Sequence, residues 1–290
     1  MKILLLGHKG MLGCDLAAQF RYRHEVIGMD KEEIDITRAS ECRGAIDEVR
    51  PELVINAAAF TNVDGCETAR EECFAVNAEA VKNIATACRD RSIPMVHYST
   101  DYVFDGNAAR PYLEDDHCNP INTYGASKLT GEHYLRRLMD NYLLIRTAWL
   151  YGANGRNFVQ AILERARATG KLSVVDDQIG SPTCSRDLAA ATELLVDKNA
   201  RGIFHVTNRG SCTWFDFARK ILQEAHLENV ELLPIKTGDL ARAAKRPAYS
   251  VLSGQKFVAT TGKTMQPWQL AFSDYYRYIT SRTCCADVCR

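Results

Sequence analysis

The sequence predicts an α/β fold: a doubly wound parallel sheet with helices on both faces, and a smaller substrate-binding lobe interleaved with its late elements. Three observations carry that expectation. Short apolar runs alternate with amphipathic stretches through the first half of the 290 residues, the pattern that buries a parallel sheet between helices. The first run leads directly into Gly7-His8-Lys9-Gly10-Met11-Leu12-Gly13, a turn rich in glycine at the start of a helix. Tyr124-x-x-x-Lys128 opens a later helix, downstream of a Ser99-Thr100 pair that closes a strand.

Taken in order, residues 3–6 form the first strand and residues 12–20 the first helix, where apolar spacing changes from a short run to one face of a 3.6-residue period. Residues 26–28, 40–49 and 53–56 repeat strand, helix and strand. Residues 73–89 carry apolar side chains at helical spacing, and residues 95–98 form a fourth strand between Pro94 and the polar Ser99-Thr100-Asp101. A helix over 125–138 and a strand over 142–146 complete a Rossmann-type domain expected at residues 1–148. Beyond Trp149 the alternation loosens around Gly152, Gly155, Gly170, Gly180, Pro182 and Gly210, with helices remaining over 158–168, 187–196, 215–225 and 268–278. Residues 149–280 are read as mainly the substrate lobe, interleaved with late parts of the sheet, and residues 281–290 as a frayed, disordered tail.

Composition removes several classes of partner. Thirty-six basic residues balance thirty-six acidic ones without a basic run, so no nucleic-acid or membrane-surface footprint is expected. The opening apolar run is too short for a secretion signal and no stretch of about 18 apolar residues follows, which predicts a cytoplasmic protein. The cysteines are mostly scattered singly and read as small buried hydrophobes. Cys284, Cys285 and Cys289 lie in the tail without histidines at metal-ligand spacing, and no metal site is expected.

The glycine turn lets backbone N–H groups around Gly7, Gly10, Met11 and Leu12 and the helix N-terminus approach a pyrophosphate. Asp30, at the end of the second strand, is placed to accept hydrogen bonds from the ribose of NAD and to repel a 2′-phosphate, while Lys9 and Lys31 could neutralise that phosphate. The choice between NADH and NADPH therefore stays open. Asn56-Ala57-Ala58-Ala59-Phe60-Thr61 ends the third strand in small side chains, which suit a flat cofactor lying on the backbone or simply close packing.

On a helix, Tyr124 and Lys128 share a face at i and i+4, so an ammonium at Lys128 can lower the pKa of the Tyr124 phenol and hold the nicotinamide ribose. A phenol tuned in this way exchanges a proton with a carbonyl or alcohol oxygen, and Thr100 offers its hydroxyl to that same oxygen. A guanidinium at Arg246 suits phosphate oxygens, or is a surface charge. Trp149 is either a core aromatic or an indole beside a sugar ring.

Taken together, Ser99-Thr100-Asp101-Tyr102-Val103-Phe104-Asp105-Gly106, Pro120-x-x-x-Tyr124-Gly125-x-x-Lys128-x-x-Gly131-Glu132, Arg146-Thr147-x-Trp149-x-Tyr151, Asp177-Gln178-x-Gly180-x-Pro182-Thr183 and Arg246-Pro247 resemble the dTDP-4-dehydrorhamnose reductases, extended short-chain dehydrogenases/reductases, over about residues 1–280. The Gly-x-x-Gly-x-x-Gly spacing resembles the extended type as well. The resemblance implies NADPH- or NADH-dependent reduction of a nucleotide-sugar 4-ketone, with Thr100, Tyr124 and Lys128 catalytic. It implies that Asp35 and Ile36 contact the adenine, although Thr37 beside them also reads as a helix N-cap. Ala57, Ala58, Ala59, Phe60 and Thr61 would line the cofactor, and Thr61, Val63, Thr100, Asp101, Tyr124 and Trp149 the sugar, with Arg246 toward the diphosphate. Some relatives are magnesium-linked dimers, but no acidic cluster here identifies a metal, and a homodimer is left open.

The same family holds epimerases and dehydratases. Dehydratases resembling this chain place an Asp-Glu pair directly after the threonine, whereas Thr100 is followed by Asp101-Tyr102, which disfavours dehydration. A nucleotide-sugar epimerase, and a non-catalytic regulatory subunit resembling that of methionine adenosyltransferase, remain alternatives.

Overall fold

The computed structural model describes residues 1–287, with side chains through Ser281. In chain order the strands are β1 (Lys2–Leu6), β2 (Glu25–Met29), β3 (Leu53–Asn56), β4 (Met95–Thr100), β5 (Tyr142–Thr147), β6 (Leu150–Tyr151), β7 (Lys171–Val175), β8 (Ile179–Gly180), β9 (Thr183–Cys184), β10 (Gly202–His205), β11 (Cys212–Thr213) and β12 (Glu231–Ile235). The helices are α1 (Met11–Phe20), α2 (Ala39–Val49), α3 (Val63–Thr68), α4 (Arg70–Phe74), α5 (Ala80–Arg89), α6 (Thr123–Leu138), α7 (Phe158–Thr169), α8 (Ser185–Asp197), α9 (Trp214–Glu224), α10 (Gln255–Thr261) and α11 (Trp268–Asp287).

Six strands form one sheet in the order β10-β5-β4-β3-β1-β2, every pair parallel. β1 lies between β2 and β3, so the chain leaves it in opposite directions and a crevice opens beyond the carboxyl ends of β1 and β3. Alternation along β1 explains the layers. Ile3 and Leu5 join Leu16 and Phe20 of α1 and Leu188 and Leu195 of α8 on one face, while Leu4 and Leu6 join Ile46 of α2, Ile84 of α5 and Leu135 of α6 on the other. A separate core of Val159, Leu163, Phe217, Ile221, Phe272 and Tyr275 supports the lobe built by α7, α9 and α11. Three elements beyond residue 148, α8, β10 and α10, belong to the sheet and its cover.

Several boundaries differ from those read off the sequence. β4 continues to Thr100 because Ser99 and Thr100 stay in register with Arg146 and Thr147 of β5. The helix expected over 73–89 is instead α4, a π-turn at Ala75–Glu79, and α5. Thr37 is not the N-cap of α2: Arg38 holds that position, and the Thr37 hydroxyl donates to Asp35 Oδ1 at 2.6 Å instead. α11 runs to Asp287, past the point where the tail was expected to begin; residues 288–290 lie outside the described part.

Candidate active site

The carboxyl end of β1 turns at Gly7 into α1. Gly7 has φ +77°, and a Cβ there would come within 2.7 Å of Ala58 N, so only glycine lets the two strand ends meet. A Cβ on Gly13 would overlap the Gly7 carbonyl. Gly10, the N-cap of α1, has no side chain to cap the helix, and no acidic residue stands in its first turn. The free N–H groups and the positive helix end thus face the crevice, a cradle that fits a dinucleotide pyrophosphate.

Two cavities share Gly10, Ala57, Ala58 and Ala59 as a common wall. The first cavity, about 650 Å³, is lined also by Gly7, Lys9, Asp30, Lys31, Asp35, Ile36 and Phe60. Asp30 accepts from the backbone N–H of Lys9 at 3.0 Å and of Lys31 at 2.9 Å. The Lys9 ammonium is held by Glu32 and Glu33, both at 2.9 Å, which push its pKa above the ordinary lysine value. Asp35 accepts from the Thr37 hydroxyl and N–H, which keep its carboxyl below the usual range.

The second cavity, about 520 Å³, brings together Met11, Leu12, Thr61, Val63, Thr100, Asp101, Tyr124, Lys128 and Trp149, all singled out in the sequence. Arg246 does not line it. Its guanidinium grips the Asp64 carboxylate of α3 at 2.6 and 2.8 Å, and Arg246 in turn holds the Asp64 pKa down to about 2. Trp149 has one indole face already covered by Trp214, with ring centroids 3.6 Å apart and planes 7° from parallel. Trp214, Phe158 and Arg156 line this cavity without having been expected there; Trp214 carried no signal because it falls just outside the helix read over 215–225, in no motif.

Around the reactive groups, Thr100 Oγ1 donates to Asp101 Oδ1 at 3.0 Å and accepts from Tyr102 N–H at 3.1 Å. Asp101 is 2 % exposed; burial pushes its carboxyl up to about 6, opposed by the hydroxyls of Ser250 and Thr100. Tyr124 packs edge-on against Tyr102 with centroids 6.0 Å apart. Its phenol lies well above the ordinary tyrosine value, because of burial first and the Asp101 charge second. The expected lowering by Lys128 is absent. The Lys128 Nζ points to His97 Nε2 at 3.4 Å, and burial lowers the pKa of Lys128 itself to about 8. The phenol therefore stands as a protonated acid, suited to donating to an oxygen that gains negative charge.

The backbone of the wall shared by the two cavities is fixed from behind. Asn77 sits in the π-turn, accepts from Phe60 N–H at 2.9 Å, donates to Phe60 O at 3.0 Å, and donates to Ser127 Oγ on α6 at 3.0 Å. Glu67 of α3 accepts from both the N–H and the hydroxyl of Thr123, each at 2.8 Å, and so anchors the first turn of the helix that carries Tyr124.

A switch-point crevice with a glycine cradle, and Thr100, Tyr124 and Lys128 together in the cavity beside it, defines an extended short-chain dehydrogenase/reductase. The chain belongs to the dTDP-4-dehydrorhamnose reductase family: the family described as RmlD substrate binding domain matches residues 1–280. It is 38% identical over 290 residues to the dTDP-4-dehydrorhamnose reductase of Aggregatibacter actinomycetemcomitans, covering 96% of this chain and 99% of that one. It is 36% identical over 275 residues to the dTDP-4-keto-6-deoxy-D-glucose reductase of Streptomyces niveus, covering 94% and 96%. Among solved structures, the dTDP-4-dehydrorhamnose reductase of Bacillus anthracis in complex with NADP superposes with a TM-score of 0.93 at 35% identity, over 96% of this chain and 99% of that one. Among the described residues no helix is long and apolar enough to cross a membrane, and no group of three or more His, Cys, Asp or Glu is arranged to hold a metal ion.

Proposed function

We propose that this chain reduces the C4 keto group of dTDP-4-dehydro-6-deoxy-L-mannose to give dTDP-L-rhamnose, using NADPH or NADH, with Tyr124 as proton donor. One observation carries the reading: Thr100, Asp101, Tyr124 and Lys128 converge in a single cavity that shares a wall with the dinucleotide cradle. When bound, the reduced nicotinamide supplies hydride to the sugar carbonyl carbon. The chain's own part is to hold that carbonyl against Thr100 and Tyr124 and to release the phenol proton as charge grows on its oxygen. Lys128, as ammonium, compensates the phenolate left behind. The relatives' names support a dTDP-linked 4-keto-6-deoxy sugar, and the Bacillus anthracis complex supports NADP(H).

Within this reading Gly7, Gly10, Met11, Leu12, Asp30, Asp35, Ile36, Ala57, Ala58, Ala59, Phe60, Thr61, Tyr124 and Lys128 serve the cofactor. Thr61, Val63, Thr100, Asp101, Tyr124 and Trp149 serve the sugar. The eight cysteines from Cys14 to Cys212 are free thiols, which suits a reducing, cytoplasmic setting. The test is oxidation of NADPH or NADH on adding the 4-keto-6-deoxy sugar nucleotide, with Tyr124→Phe alongside. Turnover should fall by about 10²–10⁴-fold in the variant while cofactor affinity is kept. No cofactor oxidation by the parent protein, or full activity in a folded Tyr124→Phe protein, would overturn the reading.

A further inference from the structure

β3 and β4 pair so that Asn56 stands directly opposite His97. Both side chains are fully buried, and they join Lys128 to the cofactor wall. Lys128 Nζ lies 3.4 Å from His97 Nε2, His97 Nδ1 lies 3.3 Å from Asn56 Nδ2, and Asn56 Oδ1 accepts from Ala58 N–H at 3.1 Å.

The chemistry of these atoms fixes the protons. Ala58 N–H can only donate, so the amide oxygen of Asn56 must face it and the NH₂ group must face His97. An NH₂ group also only donates, so His97 Nδ1 must accept. Burial and the nearby Lys128 charge, opposed by the Asn56 backbone, hold His97 well below its ordinary pKa, so the ring is neutral, and with Nδ1 accepting from the Asn56 amide its one proton sits on Nε2. That N–H is directed at Lys128. A neutral amine at Lys128 accepts it; an ammonium meets donor against donor. For His97 to receive a bond from the ammonium, its proton would have to move to Nδ1, where it would oppose the Asn56 NH₂.

Resting on the reductase reading, we propose that His97 is a positioning residue that disfavours the charged form of Lys128, and that Asn56, held by Ala58 N–H, sets the His97 tautomer responsible. The other groups facing Lys128 do not duplicate this effect. Glu132 and Cys73 favour its charge, and Glu132 is already spent on Arg146 at 2.7 Å. Tyr124, one turn earlier on α6, is protonated.

The ammonium form is the one that holds the nicotinamide ribose, so NADPH affinity should be flat at low pH and decline as pH rises through the Lys128 pKa. His97→Gln replaces a fixed N–H by an amide that can turn its oxygen to the ammonium. Asn56→Asp gives His97 Nδ1 an acceptor and moves the ring proton there, leaving Nε2 free to accept. Both changes should move the midpoint of the decline upward by about one pH unit, which is about tenfold in affinity on its alkaline side. NADPH titrations of the parent and both variants from about pH 6 to pH 10 read this without any sugar, so they stand apart from failure of the proposed reaction. The proposal is overturned if the variants, folded by thermal melting, keep the parent midpoint or move it downward.

Discussion

At the scale of single residues, the site stores charge where water is excluded, and Asp101 shows the cost. Its carboxyl is buried beside Thr100, with its pKa raised from 3.8 to about 6 by that burial. A carboxyl harder to ionise in the folded chain than in the unfolded one binds its proton more tightly when folded. Stability is therefore lost as pH rises from about 4 to about 6 and stays lower above that. Asp101→Asn should remove the penalty and raise stability by roughly 2 kcal/mol at pH 7, an order of magnitude read as a higher melting temperature. The same change should lower kcat, since the Thr100 hydroxyl loses the carboxylate that orients it at 3.0 Å. A variant less stable than the parent at pH 7 and equal to it at pH 4 would show that Asp101 is not held against its own ionisation. Most of this was not legible in the sequence: Thr100, Tyr124 and Lys128 are marked by motif and order and Asn56 by the small-residue run it opens, but His97 sits inside a strand that reads only as an apolar run, and nothing local pairs it with Asn56. The direction of the Tyr124 shift also depends on burial that no spacing reveals.

Between elements, the proposed function gives the turns after β1 and β2 the choice between NADH and NADPH. Asp30, Glu32 and Glu33 surround Lys9, whose ammonium is tied to the two glutamates and is thereby withdrawn from a 2′-phosphate. The sequence places Lys9 and the acidic run 21 or more residues apart, so the pairing emerges only when β1 and β2 lie side by side. Asp30→Ala should move the ratio of kcat/KM for NADPH over NADH upward by roughly tenfold, as expected for losing a charge-assisted bond of about 1–3 kcal/mol. Glu32→Gln with Glu33→Gln should move it the same way by freeing Lys9. Steady-state kinetics with both cofactors decide: an unchanged ratio in both proteins would place this loop outside the ribose site. The strand β3 was readable to the residue, because four apolar-to-small positions end in Asn56 and the alanines. The helix over 73–89 was not, since a π-turn keeps nearly the same apolar spacing while shifting Asn77 onto the backbone of Phe60.

Across the whole molecule, the link between Asp64 and Arg246 joins the first half of the chain to its C-terminal part over 182 residues. Arg246 is 7 % exposed, and the Asp64 carboxylate also accepts from Ala244 N–H at 3.0 Å. This fork was expected on a nucleotide diphosphate; instead it fastens the segment around residue 246 to α3, directly after the cavity residues Thr61 and Val63. Sequence could supply the arginine but not its partner, since nothing local pairs the two. Because Arg246 holds the Asp64 pKa at about 2 against an ordinary 3.8, the bond stabilises the fold fully above about pH 4 and loses that contribution as pH falls toward 2. Asp64→Asn should therefore lower the melting temperature at neutral pH, with the gap from the parent closing between pH 4 and pH 2. Arg246→Ala should show the same loss at pH 7, with the KM for the sugar nucleotide raised less than the KM change seen on altering Thr61. The opposite result, a large rise in KM at an unchanged melting temperature, would mean that the guanidinium leaves Asp64 for the substrate phosphates during turnover.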